Sequence, residues 1–177
     1  MRLFIGHATD HADRTSIQQR AKATLSDRAW RIALKEQWHV TLLFLGEVDP
    51  ERTGAISASI GTIARNSTSI ELRDGKLCAM PAHAPRMLWV RFDPDPAFTA
   101  LHHELAEAIG IPIEKDRAIV PHITIARTKQ RPMPIEPIVI LDRYVIDHLT
   151  LFQSTLDPRG AIHKPIGTWT LQPKRSS

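Results

Sequence analysis

Two short runs in this chain set a proton-transfer group and a hydroxyl at a spacing that chemistry can use. Residues 39–42 read His-Val-Thr-Leu, and residues 122–125 read His-Ile-Thr-Ile. In an extended strand alternate residues share a face, so His39 and Thr41 project together while Val40, Leu42 and Phe44 turn towards a core. The same parity sets His122 beside Thr124. An imidazole and a hydroxyl roughly 7 Å apart on one face, duplicated on a second strand, enclose a tetrahedral anion between two proton-transfer groups and two hydroxyl donors. A third copy of the local pattern stands at His148-Leu149-Thr150-Leu151, and pattern alone does not say which two of the three belong together.

The elements that must carry these residues are legible from periodicity and punctuation. Residues 2–6, 31–34, 38–45, 69–80, 86–92, 118–126, 138–141 and 144–153 are rich in β-formers and read as strands. Helices are expected from about residue 13 or 15, with Ile17, Ala21 and Leu25 on one stripe, and over 51–65, with Ile56, Ile60 and Ile63. A third starts at 93–95, carries Phe98, Leu101, Leu105 and Ile109, and stops at Gly110. Asp49-Pro50 offers an N-cap and an N1 proline to the second helix. Asp157-Pro158-Arg159-Gly160 is a turn signal, which makes residues 153–156 and 161–171 a hairpin, while Pro132, Pro134 and Pro137 mark 129–137 as a loop. Strands interrupted by single helices, without a regular β-α-β rhythm at the end, favour α+β over a doubly wound sheet. A helix-strand pair precedes each of His39 and His122, so two similar halves facing each other are expected. Neither glycine-rich phosphate-loop pattern occurs.

Composition narrows the setting. The chain has 177 residues, 42% apolar and 24% charged, which fits one compact domain or two small lobes sharing a core. No uncharged apolar run reaches the roughly 18 residues needed to span a bilayer, so no membrane partner is expected and the cytosol is the expected compartment. The single cysteine, Cys78, has no internal partner and is expected as a buried small side chain. A net charge of +4 leans towards an anionic partner, and nine histidines are an excess over ordinary usage. Trp38, Trp89 and Trp169 are expected in the core, and the adjacent His102 and His103 do not share a helix face, which argues against a metal pair.

Several of these residues resemble one known family. The run from Trp38 through Gly46, the run Val120-Pro121-His122-Ile123-Thr124-Ile125-Ala126-Arg127 and the start Arg2-Leu3-Phe4 resemble the two-histidine phosphoesterase superfamily. Within it they are most similar to the RNA 2',3'-cyclic phosphodiesterase, or 2'-5' RNA ligase, family. The resemblance covers nearly the whole chain. It implies an α+β fold of two similar lobes related by a pseudo-twofold, antiparallel sheets flanked by helices, a cleft between the lobes, and residues 1–177 as a single two-lobed domain. His148 falls outside either motif in that correspondence. The family usually carries Lys or Arg where this chain has Leu43, which strand parity places on the Thr41 face. Arg127 matches the family's arginine after the second motif, yet strict alternation turns it away from His122 and Thr124 unless the strand bulges.

The resemblance implies metal-independent hydrolysis of RNA 2',3'-cyclic phosphate ends to a 2'-phosphate. His39 is the acid and His122 the base in that scheme, Thr41, Thr124 and Arg127 bind the phosphate, and no cofactor is needed. Two imidazoles near pKa 6.5 can hold one neutral and one charged form at neutral pH. The partner is then RNA or an oligonucleotide with a cyclic phosphate end, the enzyme a monomer, and reversal of the chemistry joins 2'-5' linkages. The alternatives are an RNA-end binding module without catalysis, a two-histidine metal hydrolase, for which neither motif supplies a carboxylate, and a related enzyme acting on another cyclic phosphate or on 2'-5' linked oligonucleotides.

Overall fold

The computed structural model describes residues 1–114, 119–157 and 160–174. The chain begins with β1 (Arg2–Ala8), α1 (His11–Arg20), α2 (Lys22–Leu25), β2 (Arg31–Ile32) and β3 (His39–Glu47), and continues with α3 (Thr53–Asn66), β4 (Ile70–Met80) and β5 (Met87–Arg91). It ends with α4 (Pro96–Ile109), β6 (His122–Arg127), β7 (Ile138–Ile146), β8 (His148–Asp157) and β9 (Gly160–Thr170).

Local chemistry explains the boundaries. The Asp10 carboxylate accepts the Asp13 amide at 2.7 Å and starts α1 at His11, earlier than periodicity indicates. Asp95 caps α4 in the same way through the Phe98 amide, and Gly110 ends that helix in the left-handed conformation, φ 77°. The strand expected over 31–34 shortens to β2, because residues 35–37 wind into a 3₁₀ turn before β3. β7 and β8 divide at Asp147, whereas composition placed the break at Asp142-Arg143. Those two polar residues are exposed on an outermost strand, which tolerates them. The expected hairpin of β8 and β9 forms; Pro158 and Arg159 of its turn, and Ala118 of the strand expected before His122, lie outside the described residues.

Among the described residues the strands make one nine-stranded sheet in the order β7-β4-β5-β6-β3-β1-β8-β9, with β2 beside β6, and every pairing between them is antiparallel. The expected α+β class and paired halves are present. β3-β1-β8-β9 and β6-β5-β4-β7 are two four-stranded halves, joined in the middle by the single Cα pair Val40 and Ile123. In each half a strand, a helix and a motif strand follow in order, β1-α1-β3 and β5-α4-β6, with the first strand hydrogen-bonded to the motif strand. α3 packs on β8, β9 and α4, α4 on β3, and α1 on β7. The core runs continuously through both halves and includes Trp38, at 2% exposure; Cys78 is buried as well, at 9%. Among the described residues no helix is long and apolar enough to cross a membrane.

Both motif strands depart from alternation at the same place. Gly6 pairs with Thr41 and Ile5 with Leu43, leaving Leu42 without a partner. Trp89 pairs with Thr124 and Leu88 with Ala126, leaving Ile125 without one. Each motif threonine is thus followed by a β-bulge, which reverses the parity of the residues next after it; in β3 a second irregularity follows at Leu45, between the pairs Phe4–Phe44 and Leu3–Gly46. Leu42 and Leu43 are both buried and Phe44 is 65% exposed; Ile125 and Ala126 are both buried and Arg127 is exposed. Two expectations are corrected. Leu43 does not share a face with Thr41 but lies in the core, and Phe44 leaves the core for the motif face. The bulged Leu42 carbonyl, lost to the sheet ladder, accepts a hydrogen bond from His102 Nδ1 at 2.6 Å.

Gly6 permits the close approach of β1 to the first motif. A Cβ at this position lies 2.7 Å from the Val40 carbonyl oxygen and 3.6 Å from His39 Cδ2. The Val40 oxygen is backbone of a central strand and cannot swing aside. Gly6→Ala is therefore expected to lower unfolding free energy by about 1–3 kcal/mol, as overpacking does. Denaturant titration checks this, and a variant as stable as the parent contradicts it.

Candidate active site

The register through Val40 and Ile123 sets the geometry of the motif face. Carried one residue either way, it places His39 opposite Thr124 and Thr41 opposite His122. The two histidines are then diagonal neighbours, their Cα atoms roughly 7–8 Å apart. Val40 and Ile123 between them are fully buried, while all four motif side chains are half-buried on the other face. The bulges add Phe44 and Arg127 to that face at corresponding positions of the two halves. Arg127 thus reaches the side occupied by His122 and Thr124, as a bulge requires.

The two imidazoles are held alike. His39 Nδ1 donates to the Gln37 carbonyl oxygen at 2.7 Å, and His122 Nδ1 donates to the Val120 carbonyl oxygen at 2.9 Å. In both cases the acceptor is two residues upstream, where the chain enters the strand. This fixes the tautomer: Nε2 is left as the working nitrogen, an acceptor when the ring is neutral and a donor when it is charged. The same Gln37 uses its side-chain oxygen to accept the His163 amide at 2.6 Å, which ties β9 to the entry of β3.

The surroundings of the two rings differ. His39 lies against Phe4, with ring centroids 4.8 Å apart, and meets His163 edge-on at 5.0 Å. Phe4 stacks in turn on Phe152 at 4.9 Å. His122 stacks on Trp89, with centroids 3.8 Å apart and planes 20° from parallel. Trp89 is accordingly half-buried against the second motif rather than a core residue. Trp169 is half-buried as well, against Gly61 and Gly167. His148 goes elsewhere, pairing with Asp147 at 2.6 Å and packing on His7.

Gln37, Trp89 and His163 carry no motif that points to the site, and the start Arg2-Leu3-Phe4 carries the family resemblance without placing Phe4 against His39. They are found by what touches the motif histidines. The nearest sequence signal is parity: Phe4 and Gly6 share a face of β1, and Gly6 pairs with Thr41 of the first motif.

Burial lowers the pKa of His39 and of His122; carbonyl hydrogen bonds oppose it in both, and the neighbouring His122 charge adds to it for His39. His163 is pushed down to about 4 by burial first, then by the charges of His39, Arg127 and Arg2. Its Nδ1 is buried with no hydrogen-bond partner among the described residues. The unfolded His163 imidazole takes its proton near 6.5 and the folded one only near 4, so the unfolded chain binds more protons between those values. Stability contributed by neutral His163 is therefore present above that window and lost as pH falls through it. His163→Gln is expected to lose less unfolding free energy than the parent chain between about pH 7 and pH 4.5. Equal losses in paired denaturant titrations contradict this.

The geometry agrees with relationships to known proteins. The 2'-5' RNA ligase superfamily matches residues 7–158. The RNA 2',3'-cyclic phosphodiesterase of Archaeoglobus fulgidus is 24% identical over 173 residues, which is 94% of this chain and 98% of that protein. The protein of the same name from Geobacillus stearothermophilus is 31% identical over 121 residues, which is 66% of this chain but 38% of that longer protein. Among solved structures, TT0787 of Thermus thermophilus superposes with a TM-score of 0.82 at 25% identity, over 99% of this chain and 100% of that one. A match across most of its length, on a fold shared almost end to end, places this chain in the 2'-5' RNA ligase superfamily.

Proposed function

We propose that this chain opens 2',3'-cyclic phosphate ends of RNA, leaving a 2'-phosphate, with His39 as general acid and His122 as general base. One observation carries the reading: two imidazoles on one face of adjacent strands, each with Nδ1 committed to a backbone carbonyl and Nε2 available. The activity named for the Archaeoglobus and Geobacillus proteins supports the substrate class.

The step balances with the chain's own groups. Neutral His122 Nε2 takes a proton from water as its oxygen bonds to phosphorus. The bond from phosphorus to the ribose 3'-oxygen breaks, and His39 Nε2 delivers a proton to that oxygen. A 2'-phosphomonoester and a 3'-hydroxyl result, and the two histidines have exchanged protonation states. Thr41 and Thr124 donate to the nonbridging oxygens, and the Arg127 guanidinium offsets the charge that gathers on them. With a 5'-hydroxyl in place of water as the nucleophile, the same forward exchange joins a 2'-5' linkage and releases the 3'-hydroxyl. Each half supplies one imidazole, so residues 1–177 act as one catalytic unit and a single chain suffices. Metal plays no part in this scheme.

His39→Ala and His122→Ala are each expected to lower kcat/KM on a 2',3'-cyclic nucleotide by about 10² to 10⁴ while the circular dichroism spectrum is retained. Turnover retained in both variants sinks the assignment. Cyclic-phosphate RNA that binds the parent chain and is never hydrolysed would identify a binding module instead.

The pH profile tests the pair independently. Because burial lowers both pKa values, the midpoints of the bell-shaped kcat/KM profile are expected below the ordinary histidine value of 6.5. On the alkaline limb His39 loses the proton it must donate; on the acid limb His122 becomes charged and no longer accepts one. A profile still rising above pH 7 contradicts this. Dialysis against a chelator is expected to leave kcat unchanged, and its loss would point to a metal hydrolase.

A further inference from the structure

On the face of the sheet opposite the motif histidines lies a second group of titratable side chains with no part in that chemistry. His7 pairs with Val40 in the register of β1 and β3, so it projects on the Val40 face and away from His39. It is buried, at 4% exposure. Its Nε2 lies 3.2 Å from Asp147 Oδ1, and His148 Nδ1 lies 2.6 Å from the same oxygen. One donor atom from each of His7, Asp147 and His148 falls within 4.8 Å of the others. These residues, with Asp10, Asp13, Arg143 and Val145, line a recess of about 310 Å³.

The hydrogen bonding at His7 is what a metal ligand needs. Its Nδ1 is 2.8 Å from the Tyr144 hydroxyl, and that hydroxyl donates to the His7 carbonyl oxygen at 3.4 Å. In the tautomer whose Nδ1–H donates to the Tyr144 oxygen, Nε2 turns its lone pair towards the Asp147 carboxylate 3.2 Å away, and a cation there takes the place of the proton that otherwise bridges the pair. Tyr144 supplies the outer-shell bond that fixes a ligating imidazole. Asp10 and Asp13 put two further carboxylates on the wall of the recess. Arg143, the cation lining the recess, already bonds Glu71 at 2.6 Å.

We propose that His7, Asp147 and His148 bind one divalent transition cation of the zinc class, as a clamp that holds the crossing between the two halves to β1. Two imidazoles and a carboxylate suit zinc, whose bonds of about 2.0–2.2 Å set tetrahedral donors about 3.3 Å apart. The separation of His7 from Asp147 already matches, and the recess leaves room for water as the fourth ligand. The position gives the cation its role. β7 and β8 lie at or near opposite ends of the strand order, yet Asp147 alone connects them. Holding Asp147 and His148 to His7 pins this crossing to β1, which belongs to the half carrying the first motif.

The full chain, stripped with chelator, is expected to take up one equivalent of Zn2+ by calorimetry. Co2+ in its place is expected to show the visible absorption of a tetrahedral site. Asp147→Asn and His148→Ala, both changes at the accessible side of the group, should each weaken Zn2+ binding at least tenfold and abolish the rise in Tm that Zn2+ gives the parent chain. His39→Ala/His122→Ala should keep both the stoichiometry and the Tm shift. No equivalent bound by the parent, or binding lost with the motif histidines and kept in Asp147→Asn and His148→Ala, overturns the proposal. None of these readouts depends on activity, so the proposed function stands or falls separately.

Discussion

Each motif threonine is followed by one residue without a partner on the next strand, and the functional face exists because of it. Without the extra residue, alternation would place Arg127 on the side opposite His122 and send Phe44 into the core. With it, the faces read His39, Thr41, Phe44 in one half and His122, Thr124, Arg127 in the other, while Leu42 with Leu43 and Ile125 with Ala126 are buried behind them. A bulge leaves backbone groups unpaired, and the fold answers this locally, with His102 donating to the Leu42 carbonyl. Where the two motif strands meet, the pairing shrinks to Val40 and Ile123. The strands are therefore joined under the site and are not laced together beyond it, which leaves room above them for a tetrahedral group.

The two halves repeat each other in backbone and diverge in chemistry. Nδ1 is tied to a carbonyl two residues upstream in both. Around His39 the fold places Phe4, Phe152 and His163; under His122 it places the face of Trp89. An indole face favours a cation above it, which suits the proposed base, the ring that would gain a proton. Burial disfavours charge on either ring, and a bound phosphodiester would reverse this by supplying the missing anion. In the proposed reaction, protonation of His39 and binding of substrate are in this way coupled. Arg127 stands in one half alone, with Phe44 at the corresponding place, so the motif strands themselves offer positive charge from one side.

Much of this architecture could be read from residue order. Helix ends followed from Asp95 and Gly110, the final hairpin from its turn residues, and the two motif strands from alternating apolar positions. What could not be read was the bulge, since it adds no distinctive residue: Val-Thr-Leu-Leu-Phe alternates equally well in either register until a neighbouring strand fixes the count. For that reason alternation alone misplaces Leu43 and places Arg127 only conditionally. Large aromatics usually go to the core, so residue type points Trp89 there, and its stacking on His122 comes from the register of β5 against β6. His163 and Gln37 were invisible because they meet His39 from distant or irregular chain, β9 and the turn before β3, and contacts of that kind leave no periodic trace. His148 shows the converse: its local pattern equals that of the motif histidines, and only the topology sends it to His7.

β1 is the element on which both faces of the sheet depend. It is hydrogen-bonded to β3 on one side and to β8 on the other, and almost all of it is buried. Its even positions serve the front: Phe4 underlies His39, and Gly6 lets the Val40 carbonyl come close. Its odd positions serve the back, where Leu3 and Ile5 fill the core and His7 reaches Tyr144 and Asp147. A strand so confined cannot shift on one face alone. Anything that holds His7 in place also holds Gly6, and through Gly6 the backbone beside His39. A cation at the back would then stabilise the geometry of the front without touching a reacting atom, so the proposed clamp and the proposed metal-free chemistry are compatible.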